Sequence, residues 1–147
     1  MRTAFRRVFG SLSGDVVPKR LVDHPWDRAA AVEMRRTDLF GFVCPIEPGA
    51  RFFVLALERL GARTTVSCEG HPEGFFVNFT GSHELAEQLS GIDPLTIEVL
   101  PGCWRLSAIA AEQMQDPAFR DAERVYLLRQ AADAMIRAFP HALGGLA

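Results

Sequence analysis

The sequence predicts a single α+β domain, a mixed or antiparallel sheet of four to five strands covered by two to three helices. Three observations predict it. Two pairs of β-rich runs, over 64–80 and 95–109, each fold back around a turn that contains glycine and proline. Two stretches, 49–60 and about twenty residues following Pro117, repeat apolar residues every three or four positions. No linker, internal repeat or low-complexity tract divides the 147 residues, a length that suits one domain with a real core.

The chain opens with a basic arm, residues 1–22, where Arg2, Arg6, Arg7, Lys19 and Arg20 face only Asp15. The arm lacks the apolar centre of a secretory signal and reads as a frayed or docked segment rather than a transit peptide. Residues 23–147 form the predicted domain. Asp23-His24-Pro25-Trp26-Asp27 resembles a helix entry, with Pro25 suited to the first turn, and a short helix follows up to Thr37-Asp38. An apolar extended segment, 39–46, is punctuated by Pro45 and Pro48.

The 49–60 helix carries Phe52, Leu55, Ala56, Arg59 and Leu60 at helical spacing. Phe53 and Leu57 widen its apolar face, and Gly61 supplies the C-cap. Thr64, Thr65 and Val66 then start a strand that runs into Ser67 and Cys68, and a second strand spans 75–80. Glu69-Gly70-His71-Pro72-Glu73-Gly74 is the predicted turn between them. Phe75, Val77 and Phe79 share one face of the second strand, while Phe76 and Asn78 share the other.

Ser82 is placed to cap a short helix over 83–89, which Gly91 closes. Leu95 to Leu100 alternates as a strand, Pro101-Gly102 turns, and Cys103 to Ile109 alternates again. Asp116-Pro117 signals the last helix, with Asp as cap and Pro as first residue. Its apolar face is predicted to include Phe119, Ala122, Val125, Tyr126, Arg129, Ala131, Ala132, Met135, Ile136 and Phe139. His141 reads as a surface residue, and Gly144-Gly145 as a loose tail.

Composition narrows function only a little. A hydrophobic share of 48% with 23% charged residues describes an ordinary globular chain. A net charge of −2 gives no general attraction to nucleic acid. No run approaches the roughly 18 apolar residues of a membrane span, so no membrane is expected. Three cysteines without a framework suit a reducing, cytoplasmic setting. The excess of Arg over Lys, fifteen to one, reads as bacterial-like genome composition.

Chemistry concentrates in the 67–74 hairpin, which gathers a thiol, two carboxylates and an imidazole around a turn. Cys68 is a candidate nucleophile, with His71 supplying positive charge or acting as base and Glu69 as a base or orienter. Packing of a small buried thiol explains Cys68 as well. Glu69 and Glu73 form a carboxylate pair or two solvated charges. Gly70 and Gly74 fit unusual backbone angles, or let a ligand approach amides that accept a phosphate or carboxylate. Phe76 either stacks on a base or is buried by a further layer. Cys68 and His71 have the spacing of a Cys-x-x-His chelate. Cys44, Cys103, His24 and Asp93 form no second tight pair, so no metal is assigned. There is neither a P-loop nor a dinucleotide-type glycine motif.

Gly41-Phe42-Val43, Ile46, the following helix, and Thr64-Thr65-Val66-Ser67-Cys68-Glu69-Gly70-His71 together resemble the wybutosine-synthesising tRNA methyltransferases. Those proteins place a Ser-Cys-x-Gly motif at the active cleft. The resemblance covers roughly residues 40–79, about a quarter of the chain. It implies that Ser67, Cys68 and Gly70 line a cleft, that S-adenosylmethionine is the cofactor, and that the substrate is tRNA. Cys44 stands where the family has an acidic residue, Glu69 where it has serine and His71 where it has arginine.

Two functions follow. One is a small RNA- or nucleotide-directed protein, methyltransferase-like in chemistry, that meets RNA phosphate through the basic arm. In it Cys68, His71 and Glu69 are the catalytic candidates, and Ser67, Gly70, Gly74 and Phe76 the ligand-binding ones. The other is a non-catalytic module that recognises a protein or a small molecule with the same hairpin.

Overall fold

The computed structural model describes residues 46, 48–71 and 74–146. The arm, Trp26 and the helix entry around it, and residues 39–45 lie outside the described residues. Helix α1 (Pro48–Arg59) is the centre of the fold. Phe52, Phe53, Val54, Leu55, Ala56 and Leu57 are all buried, so burial surrounds the helix instead of following one stripe. A helix apolar on every side belongs inside a core. Helix α1 packs on strands β1 (Arg63–His71) and β2 (Gly74–Thr80) and also on helices α4 (Asp121–Ala138) and α5 (Pro140–Leu143).

Gly61 ends α1 as the sequence predicts. At φ 91° it sits in the left-handed region, which an L side chain adopts only under strain. The Ala62 amide donates to the Leu57 carbonyl at 2.9 Å and turns the chain directly into β1. Glu58 ties this junction. Its Oε2 accepts from both the Thr64 amide, at 2.6 Å, and the Thr64 hydroxyl, at 2.8 Å. Thr64 is fully buried, and this carboxylate satisfies both of its donors.

The described sheet is antiparallel and four-stranded, in the order β1-β2-β4-β3, with β3 (Thr96–Leu100) and β4 (Cys103–Ser107) forming the second hairpin. Phe75, Val77 and Phe79 enter the core together with Leu106, as their shared strand face requires. Helix α2 (His83–Ser90) follows β2. Ser82 caps it, its hydroxyl accepting from the Leu85 amide at 3.0 Å.

Three expectations are corrected. The last helix begins at Asp121, because Asp116 builds a turn instead. Its carboxylate accepts from the Ala118 amide at 2.9 Å and its carbonyl from the Phe119 amide at 2.9 Å. A short helix, α3 (Ala111–Gln115), precedes that turn. Of the predicted apolar face, Ala131, Ala132 and Met135 are buried, together with Leu128, whereas Ala122, Tyr126 and Arg129 are exposed. The C-terminus is no loose tail. Leu143 in α5 and Leu146 in the following 3-10 turn (Gly144–Leu146) are buried, and Arg59 Nη1 donates to the Ala142 carbonyl at 3.0 Å.

Candidate functional site

The 67–74 hairpin is tighter than its sequence suggests. β1 continues to His71 and β2 resumes at Gly74, so only two residues separate the paired ends. The polar stretch is absorbed by the ladder. Cys68 pairs with Phe76 and His71 with Gly74, three steps on β1 against two on β2. One extra residue therefore bulges out between Cys68 and His71. A second irregularity lies between Thr64 and Val66, opposite Phe79 and Asn78. Each such insertion turns the strand over by one face. Thr64 is thereby paired with the core residue Phe79, and Ser67 with the core residue Val77.

Gly74 fixes the hairpin's end to the rest of the fold. Its φ is 84°, and a Cβ built there would meet the Ala111 Cα at 3.3 Å, the first residue of α3. The glycine is needed for its backbone angle and for this close approach. On the other face of β2, the Arg105 guanidinium lies 4.1 Å from the centre of the Phe76 ring, and Arg105 Nε donates to Asn78 Oδ1 at 2.8 Å. Phe76 is 1% exposed, yet it lies outside the main core cluster.

These positions sort the candidates. Ser67 and Phe76 are both buried, and Arg105 occupies the ring face on which a base would stack. The expectation that Phe76 stacks on a base is therefore corrected: burial, the other course open to it, is what occurs. Gly74 is buried against α3. Cys68, Glu69, Gly70 and His71 are consecutive in β1 and carry the bulge, while their side chains and all of Pro72 and Glu73 lie outside the described residues. Among the described residues, no three His, Cys, Asp or Glu side chains could hold a metal ion. No described helix is long and apolar enough to cross a membrane.

The sequence does not disclose a second feature. At the far end of β2, about 20 Å from Gly74 by strand rise, lies an open cleft of about 410 Å³. Thr80 and Gly81 form one side, His83 another, and Val99, Leu100 and Trp104 the apolar wall. The His83 and Trp104 ring centres are 6.2 Å apart, and His83 Nε2 meets Glu87 Oε1 at 3.2 Å. Only the Trp in a strand-turn-strand pattern hints at it in the sequence. Compared with family models, curated proteins and solved structures, the chain gives no match.

Proposed function

We infer that this chain is a non-catalytic recognition module that binds a small anion, a carboxylate or phosphate, at the bulged end of the β1–β2 hairpin. The observation that carries this reading is the extra residue between Cys68 and His71. A bulge takes backbone groups out of the ladder, and amides so released, next to a glycine, form the concave donor set that an anion needs. Behind the bulge, Phe75, Val77 and Phe79 hold β2 in the core and Gly74 rests on Ala111. Such a rigid support keeps the donors in place before a ligand arrives.

Recognition is favoured over RNA-directed chemistry by what the hairpin withholds. Ser67, which the methyltransferase resemblance implies at a cleft, is buried on the core side, and Phe76 has no free face for a base. Calorimetric titration of S-adenosylmethionine into reduced, full-length protein separates the two readings. The expected result is no saturable heat. Saturation near one site per chain would overturn the inference and carry the resemblance over to Cys68, His71 and Glu69 as chemical groups.

A further inference from the structure

We propose that β3, an edge strand of the sheet among the described residues, with the cleft beside it, binds an extended peptide segment by strand addition, the segment reading apolar–basic–apolar where it faces Ile97, Glu98 and Val99. This surface is separate from the hairpin bulge and does not depend on the anion reading.

Two edges end the described sheet, β1 and β3, and they differ in kind. β1 contributes Thr64, Val66 and Ser67 to buried positions. In β3 none of the five residues is buried, and Val99 is 78% exposed, the most exposed large apolar residue among those described. Alternate residues of an edge strand turn their amides and carbonyls outward. An extended backbone is the ligand that pairs with such a row. Pro94 and Pro101 stand just outside the strand at either end, and neither has an amide to donate. They confine pairing to about the length of β3 itself.

The side-chain pattern follows from register. Val99 is paired with Trp104 and Ile97 with Leu106, which puts both on the core face of the sheet. Residues of an added strand opposite them share that face and meet apolar surface. The one opposite Val99 lies beside the cleft that Val99, Leu100 and Trp104 wall, and a bulky aliphatic or aromatic side chain suits it. Glu98 is exposed on the reverse face, so the residue opposite it is basic. A second copy of this chain fits less well. The two-fold antiparallel register that overlaps all five residues sets Glu98 against Glu98, and like charges directly opposed are destabilising.

The test is panning of a random octapeptide phage library on the full-length protein, with the Val99→Arg protein as counter-target. Val99 is exposed, so this substitution leaves the core untouched. Enriched octapeptides are expected to share the apolar–basic–apolar triplet and, when synthesised, to shift the amides of residues 96–104 in a saturable way. N-methylation of the basic residue's neighbour on the pairing edge should weaken binding about tenfold, the loss of roughly one backbone hydrogen bond. Glu98→Lys should weaken it by about two- to fivefold and turn the preference to an acidic central residue. The proposal is overturned if nothing is enriched over Val99→Arg, if the shifts fall outside 96–104, or if N-methylation has no effect. A dimer in sedimentation that Val99→Arg dissolves would overturn it too, by assigning the edge to a second copy.

Discussion

Phe53→Ala should destabilise the protein by about 3–5 kcal/mol, the cost of removing a fully buried aromatic side chain and leaving a cavity. Phe53 joins the central helix to the sheet. Its ring meets Phe52 edge-on at 5.2 Å and Phe75 of β2 at 4.9 Å, and none of it reaches solvent. Whole domains are stable by only about 5–15 kcal/mol, so this one substitution removes a large share. The urea midpoint should fall by roughly 2 M with an unchanged slope. Tyr126→Ala, on the exposed side of α4, should by contrast stay within about 0.5 kcal/mol. A Phe53→Ala loss as small as that of Tyr126→Ala would contradict the placement of α1 between the sheet and the C-terminal helices.

A comparison of Gly74→Ala with Gly102→Ala should separate backbone strain from steric contact. Both glycines have left-handed angles, φ 84° and φ 80°. An alanine at either pays roughly 1–2 kcal/mol for the angle. At Gly102 the new methyl enters open space, and the cost ends there. At Gly74 it meets the Ala111 Cα at 3.3 Å, a backbone atom that moves only if α3 moves. Overpacking of this kind adds about 1–3 kcal/mol. Gly74→Ala should therefore be the worse of the two by at least about 1 kcal/mol in urea unfolding. Equal costs would mean that α3 yields freely and does not brace the hairpin.

Much of the scaffold is legible in the residues themselves. The helix over 49–60 is marked by its apolar spacing and its terminal glycine, and Ser82 announces α2 by a hydroxyl that does cap it. The two hairpins show as alternating runs around glycine turns. Core membership of Phe75, Val77 and Phe79 follows from a period of two alone. What escapes the sequence is whatever depends on a partner elsewhere in the chain. Asp116-Pro117 can open a helix or a turn with the same side-chain hydrogen bond, and here it opens the turn.

The bulges in β1 are harder still to read. One inserted residue leaves no compositional trace, yet it decides that Ser67 pairs with the core residue Val77. Phe76 illustrates the same limit. Its alternation with Phe75 marks a different face, but that its ring is covered depends on groups distant in sequence, among them Arg105, 29 residues away. The β3 edge is similar. Its alternation is plain, whereas its place at the end of the sheet arises from the order β1-β2-β4-β3.

Anion binding at the bulge is tested most directly by mapping backbone amide shifts of the reduced, full-length protein during titration with acetate and then inorganic phosphate, at constant ionic strength. A saturable response concentrated on residues 68–74, where one residue of β1 leaves the ladder, is expected, together with its loss in Gly74→Ala. Uniform shifts that track salt alone, or a saturable response elsewhere with 68–74 silent, would contradict it.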